Sequence, residues 1–363
     1  MVIKWALTNK CNLSCRHCYN SELRNSHEFN ENDVIRIVDE FSKNYVSGIQ
    51  FLGGEPLLAK SLLVALKYCY ENKINAEINT NGTLFDDAII SAICEYKVSS
   101  VTFSIDGYNC YENDEIRGNG TFNKSVSNLH LLGDKVRESN NNTLIYINSV
   151  IGRETIKNPS RLFRFLEEFP FVAGITISIP DIVGSAIKQN SNYWPTYAEF
   201  LEYVIEVSKM LLEFKGLTEI SFGVPARVKN LLNLNFGTKE HYKYKIYCMG
   251  ASSVYTLDAD GILYPCNLTH GIEWFRNKYG YEYLLENLNI FNKNFYDLYT
   301  SNEYLEFYKY VRSKDLCIRD RIVNKVCSSC DESIYCQVAC PLENDIIAMS
   351  ELCKLALIHP QFK

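Results

Sequence analysis

Cys11, Cys15 and Cys18 lie in the run Thr8-Asn9-Lys10-Cys11-Asn12-Leu13-Ser14-Cys15-Arg16-His17-Cys18-Tyr19, with three and then two residues between successive thiols. That spacing lets one short loop present three thiolates to a single centre. A cubane [4Fe–4S] cluster has four irons, so three cysteines leave one iron without a protein ligand and open to a chelating molecule. Taken alone, the same residues also suit a zinc loop or a set of metal-free thiols. The loop follows a strand-like opening of Val2, Ile3, Trp5, Ala6 and Leu7.

The chain has 363 residues and fourteen cysteines, and seven of these form an ordered series in the last third. Cys248 is followed by twelve residues, Gly261, four residues and Cys266. Cys327-x2-Cys330-x5-Cys336-x3-Cys340 and Cys353 then complete the series. A Cys-x2-Cys pair on its own reads as zinc. Seven thiolates, however, do not divide into complete four-cysteine zinc sites. Cys69 and Cys94 fall in amphipathic stretches as small core residues. Cys110, after the fourth strand candidate, and Cys317 are left over from both groups, and Cys317 is a candidate ligand or hydrogen-atom donor.

Composition narrows the class. Hydrophobic residues make up 47% and charged residues 22%, the balance of a globular chain long enough for one large or two ordinary domains. The net charge of −6 argues against a partner held by phosphate contacts, so no nucleic acid is expected. No run has the length of a membrane span and no basic-then-apolar signal opens the chain. Clustered cysteines without export signals point to metal ligation in a reducing, cytoplasmic setting.

The elements that must carry these residues alternate. Strand candidates are Val2–Leu7, Gly48–Leu52, Ala76–Asn79, Ser100–Ile105, Thr143–Ile151 and Gly174–Ile179. Their Val, Ile, Phe and Thr content suits buried parallel strands. Helix candidates with apolar residues three or four apart lie between them: a stretch opened by Asn30, then Lys60–Tyr70, Asp86–Tyr96, Phe122–Leu132, Asn158–Glu168 and Thr196–Phe214. Six strand–helix units imply an α/β fold, a partial (β/α)6 barrel with right-handed crossovers and its chemistry at the carboxyl ends of the strands. The expected division is a barrel over 1–220, a connector over 221–247 and a small cysteine-rich domain over 248–363.

The cysteine loop, with Gly53-Gly54-Glu55-Pro56 after the second strand, resembles that of the radical S-adenosylmethionine (SAM) enzymes. The C-terminal series resembles their SPASM extension. The resemblance implies that Cys11, Cys15 and Cys18 hold a [4Fe–4S] cluster whose free iron binds the amino and carboxylate groups of SAM. It implies SAM contacts at His17 near the adenine, at Gly53, Gly54 and Glu55 for the amino group, and at Asn81 in Asn79-Thr80-Asn81-Gly82-Thr83. Ser104 and Asp106 in Ser104-Ile105-Asp106-Gly107 join them, with Arg117 for the carboxylate and a glycine-containing contact at Gly184-Ser185-Ala186. The SPASM ligand set implies two auxiliary [4Fe–4S] clusters, for three in all. Cys327, Cys330, Cys336 and Cys353 serve the outer one; Cys248, Cys266 and Cys340 serve the inner one. The inner cluster is a ligand short. It is open at one iron or closed by Cys317 or a non-cysteine group, since His241 to Tyr247 supplies no cysteine.

That branch acts mostly on peptides and proteins. The implied activity is a radical SAM maturase that removes hydrogen from a ribosomally made peptide and forms a carbon–carbon or thioether cross-link. The implied partners are that precursor peptide and an external electron donor of flavodoxin or ferredoxin type. Only ten residues precede Cys11, so a leader-binding domain is expected to be a separate protein, or the barrel reads the peptide directly. The alternatives are a small-molecule oxidase or decarboxylase, a peptide epimerase and an anaerobic sulfatase-maturing enzyme. Asn267 disfavours the last, standing where those relatives place an Asp base. A binding or electron-transfer protein without radical chemistry is a further class, separated from the rest by SAM-dependent formation of 5′-deoxyadenosine.

Overall fold

The computed structural model describes residues 1–21, 27–180, 184–189, 191–237, 252–266, 269–320 and 346–362. Seven strands run parallel, side by side in chain order. They are β1 (Val2–Thr8), β2 (Gly48–Gly53), β3 (Asn75–Thr80), β4 (Ser100–Ser104), β5 (Leu144–Val150), β6 (Val172–Ser178) and β7 (Glu219–Phe222). On the free edge of β1 the sheet continues with β8 (Val254–Leu257), parallel to it with Val2 opposite Val254, and then with antiparallel β9 (Leu263–Tyr264). The cysteine-rich end of the chain thus contributes strands to the same sheet as the first residues.

The crossovers carry α1 (Glu31–Lys43), α2 (Leu62–Glu71), α3 (Asp87–Glu95), α4 (Cys110–Arg117), α5 (Thr121–Glu138), α6 (Arg153–Ile156), α7 (Ser160–Glu168), α8 (Tyr197–Leu211) and α9 (Ala226–Phe236). Several starts are fixed by side chains that satisfy the first orphan amides. Asn30 and Asp33 form a reciprocal capping box on α1, as do Thr196 and Glu199 on α8, and Asp86 accepts from the Ile89 amide on α3. Beyond β9 come α10 (Thr269–Tyr279), α11 (Tyr281–Asn287), α12 (Phe295–Tyr299), α13 (Asn302–Asp320) and α14 (Ile346–Ile358).

Side chains alternate across each strand. One face of the sheet presents Ile3, Trp5, Ile49, Phe51, Ile78, Val101, Phe103, Ile145, Ile147, Ile175, Ile177 and Phe222, all buried under the helices. Trp5 packs edge-on to Phe29 and Phe41 at 5.3 and 5.6 Å, and Phe41 meets Phe295 of α12 at 4.8 Å. The other face differs from the fully buried strands that the composition suggests. It carries Lys4, Gln50, Glu77, Asn79, Thr102, Ser104, Tyr146, Asn148, Thr176, Ser178 and Ser221, none of them fully buried, with Val2, Ala6, Leu52, Leu144 and Val150 interspersed. A complete eight-stranded barrel fills its interior with branched apolar side chains. This open barrel keeps a polar, accessible concave face.

Candidate active site at the carboxyl ends of the strands

The cysteine loop leaves the end of β1 and is held from both sides. On one side Gly53 and Gly54, at the end of β2, come so close that a Cβ would lie 2.4 Å from the Thr8 carbonyl oxygen at Gly53 and 2.1 Å from that of Lys10 at Gly54. Gly53 also has φ of +123°, a conformation that only glycine adopts without strain. The amides of Gly54 and Glu55 donate to the carbonyls of Thr8 and Lys10 at 3.0 and 2.8 Å. The two glycines are therefore set by contact with the loop itself. Asn20 closes the same side by donating to the Gly53 carbonyl at 3.2 Å.

On the other side stands Arg16, a residue whose part is not evident from the sequence. Its amide donates to the Ile116 carbonyl at 3.0 Å, and its Nε to the Glu115 carbonyl at 2.6 Å. One terminal nitrogen reaches Gln189 Oε1 at 3.2 Å, and the guanidinium lies 4.2 Å from the centre of the Tyr193 ring. The segment after β6 also touches the loop. The Ser185 amide donates to the Cys18 carbonyl at 3.0 Å, and a Cβ on Gly184 would come within 2.5 Å of that oxygen. The glycine expected near SAM is placed against Cys18 and Tyr19.

Glu55 is buried, and both of its carboxylate oxygens are engaged. Oε1 accepts from Thr80 Oγ1 at 2.7 Å and from the Leu57 amide at 3.1 Å; Oε2 accepts from the Asn81 amide at 2.8 Å. It joins the β2 turn to the β3 turn and caps the short 3-10 turn Pro56–Leu58. Burial pushes its carboxyl up, against hydrogen bonds from Asn81, Thr80 and Leu57 that pull it down. Asn81 in turn donates to Asn12 Oδ1 at 2.9 Å, and Asn12 donates to Thr83 Oγ1 at 2.9 Å. Thus the third turn is tied back to the cysteine loop.

Asp106 is the charge hub. It is fully buried; His17 Nε2 and Arg117 Nε both lie 2.6 Å from its Oδ2, and the Val150 amide donates to Oδ1 at 2.7 Å. Burial would raise its carboxyl, but the Arg117 guanidinium and His17 outweigh burial and hold it at about 2. Arg117, buried at the end of α4, reaches Cys15 Sγ at 3.9 Å with its Nη1. Burial pushes the Cys15 thiol up to about 11 against the pull of Arg117, so metal must displace the proton for thiolate ligation. The site thereby gathers Cys11, Cys15, Cys18, His17, Gly53, Gly54, Glu55, Asn81, Asp106 and Arg117 at adjacent strand ends. Ser104 closes β4 on the concave face. Cys110 is exposed in the first turn of α4.

The donor set fits a [4Fe–4S] cluster: three partly exposed thiols share one anchored loop, with a buried guanidinium beside one of them. Among the described residues no three His, Cys, Asp or Glu side chains group as ligands of a single metal ion would. In a cubane each thiolate meets a different iron. In the cysteine-rich end, Cys266 after β9 and Cys353 in α14 are buried. Cys317 lies in α13. Cys248, Asn267, Cys327, Cys330, Cys336 and Cys340 lie outside the described residues. The turn between β8 and β9 holds two buried carboxylates. Asp258 Oδ1 accepts from the amides of Asp260 and Ile262, and Asp260 meets His27 and Tyr281. Burial, then the nearby Asp260 charge, push Asp258 up to about 7.

An open parallel barrel with a three-cysteine loop, a glycine turn and a buried carboxylate–guanidinium hub at one edge is a scaffold for chemistry at strand ends. Residues 5–166 match the family model described as "Radical SAM superfamily". Fe-coproporphyrin III synthase of Methanosarcina barkeri is 29% identical over 170 residues, 46% of this chain and 41% of that protein. Mycofactocin maturase MftC of Mycolicibacterium smegmatis is 29% identical over 133 residues, 36% of this chain and 34% of that protein. The matches therefore span about two-fifths of the first relative's length and about a third of the second's. The structure of Streptococcus suis SuiB bound to precursor peptide SuiA has the same fold. It superposes with a TM-score of 0.67 at 17% identity, covering 92% of this chain and 70% of that one. No helix among the described residues is long and apolar enough to cross a membrane.

Proposed function

We propose that this protein is a cytoplasmic radical SAM maturase. In this reading it removes hydrogen from a ribosomally made peptide and forms a carbon–carbon or thioether cross-link. The observation that carries the reading is the joining of the cysteine loop to His17, Asp106 and Arg117 at one barrel edge, in a chain with similarity to a mycofactocin maturase. Cys11, Cys15 and Cys18 hold the first cluster; Cys248, Cys266 and Cys340, and Cys327, Cys330, Cys336 and Cys353, hold two auxiliary ones. The division is a barrel over 1–220, a connector over 221–247 and an auxiliary-cluster domain over 248–363. A bound [4Fe–4S] cluster supplies the electron that splits SAM into methionine and a 5′-deoxyadenosyl radical.

The chain's own residues orient and enclose. Arg117, fixed by Asp106, sets a guanidinium beside Cys15 suited to the SAM carboxylate, and the His17 ring, held by the same carboxylate, suits the adenosyl group. Glu55, its own oxygens engaged, holds the Gly53-Gly54 carbonyls in place for the SAM ammonium. Arg16 pins the loop to the segment carrying Gly184, Tyr193 and Trp194, which shields the radical from water. An external electron donor and the precursor peptide are the partners.

The test is anaerobic reconstitution followed by SAM, a reductant and any short candidate peptide found encoded in a neighbouring gene. About twelve irons are expected, four for each of three clusters, together with 5′-deoxyadenosine and a peptide lighter by two hydrogens. Cys15→Ala is expected to abolish 5′-deoxyadenosine while about eight irons remain. An unchanged peptide with 5′-deoxyadenosine still formed would overturn the cross-linking reading. The similarity to Fe-coproporphyrin III synthase makes a tetrapyrrole the competing substrate class.

A further inference from the structure

Beside Ser104, an expected SAM contact at the end of β4, the concave face of the sheet holds Asn148, Thr176 and Ser221, side chains that the cluster and SAM site leave unused. Ser104 of β4 lies opposite Asn148 of β5, Asn148 opposite Thr176 of β6, and Thr176 opposite Ser221 of β7. Thr176 and Ser221 hydroxyls are 3.1 Å apart, and Asn148 and Thr176 are exposed. Adjacent strands are spaced ~4.8 Å, so the three unused positions span ~10 Å, the length of about three residues of extended chain. The row begins at Asn148, opposite Ser104 and so next to the Asp106 turn, and the Ile105 amide donates to the Asn148 carbonyl at 3.1 Å. It therefore runs outward from the radical-generating edge.

Its chemistry is selective. Hydroxyls and a carboxamide each donate and accept, which matches peptide amides. Lys4 is the one cation among the described strand residues of this face. It lies on β1, at the far side of the sheet, in register with Gln50 and Glu77. Glu219 on β7 adds an exposed carboxylate near the row. The strands of the row offer a ligand with several propionates no cation and one exposed carboxylate, that of Glu219, which disfavours such a ligand.

Resting on the maturase reading, we infer that Asn148, Thr176 and Ser221 form the substrate-anchoring row, holding an extended peptide segment by its backbone amides and excluding polycarboxylate macrocycles. These are specificity-determining residues: they hold substrate in reach of the site and take no part in cleaving SAM.

A random-sequence peptide library displayed on its encoding RNA is panned against reconstituted, SAM-loaded protein, and the enriched peptides become the probe. Fluorescence anisotropy then compares wild type with Asn148→Leu, Thr176→Val and the conservative Thr176→Ser. The first two are expected to bind about tenfold more weakly, with Thr176→Ser close to wild type and all three keeping the wild-type melting temperature and circular dichroism. Fe-coproporphyrin III, followed by its absorbance, is expected to neither bind saturably nor displace the peptide. Failure to enrich any peptide, unchanged affinity in Thr176→Val, or Fe-coproporphyrin III binding that Thr176→Val weakens would each overturn the inference. Loss of 5′-deoxyadenosine formation in the wild type would instead strike the radical SAM reading, which the peptide affinities do not measure.

Discussion

At the carboxyl edge of β1 to β4, charges are met within the protein. Asp106 lies against His17 and Arg117, and Glu55 accepts three hydrogen bonds from neighbouring turns. Along β5 to β7 the same concave face carries neutral Asn148 and Thr176, open to solvent, with Ser221 beside them. One half of the barrel is preorganised and closed; the other is uncommitted. Buried ion pairs are costly to assemble and costly to break, so they specify one geometry for one small ligand. Neutral hydrogen-bonding groups at an open surface cost little when unfilled and tolerate varied partners. The contrast accords with the proposed reading, in which one invariant co-substrate and one variable chain are handled.

The sharpest way to break this contrast is at the hub. Asp106→Asn leaves the Arg117 guanidinium buried without its counter-charge and is expected to cost about 3–5 kcal/mol, as is typical of broken buried pairs. A urea titration showing a loss below about 1 kcal/mol would mean that the hub is wetter than its burial indicates. Next in size, Gly54→Ala forces a methyl group against the Lys10 carbonyl. The expected loss is about 1–3 kcal/mol, together with lower iron retention; full iron content at wild-type stability would show that the turn can yield.

Acid gives a comparable effect. Asp106 is held at about 2 against an ordinary 3.8, so its stabilisation is fully present above about pH 4 and is lost as pH falls through about 2. That contribution is on the order of 2 kcal/mol, and Asp106→Asn should remove the corresponding slope from the pH dependence of unfolding. Smallest is Thr176→Val on the open half, expected within about 0.5 kcal/mol of wild type. A larger loss would mean that the row serves the fold and not a ligand.

Much of this was legible in the residues. The strand candidates lie within two residues of the observed strands, because β-branched runs between polar turns leave few alternatives. Helix α4 is hard to see in the sequence because its eight residues Cys110–Arg117 carry little apolar periodicity. Its one signature is Asn109 three residues before Glu112, a pattern that starts helices, and the Asn109 side chain does accept from the Glu112 amide at 3.0 Å. The polar concave face was also readable, as the alternation in Ser100-Val101-Thr102-Phe103-Ser104, but the parallel topology suggested burial on both faces. The part of Arg16 was not legible at all. Its partners Glu115, Gln189 and Tyr193 are distant in sequence, and only the fold brings them together.

The pairing of β1 with β8 has a consequence for biosynthesis. Val2 lies opposite Val254, so the outer edge of the first strand cannot be covered until some 250 residues have been made. At ordinary rates of about 5–20 residues per second that is roughly 13–50 s. During this interval the nascent chain carries an unpaired edge, the feature through which partly made chains associate. The last third of the polypeptide thus acts as a late seal on the first few residues.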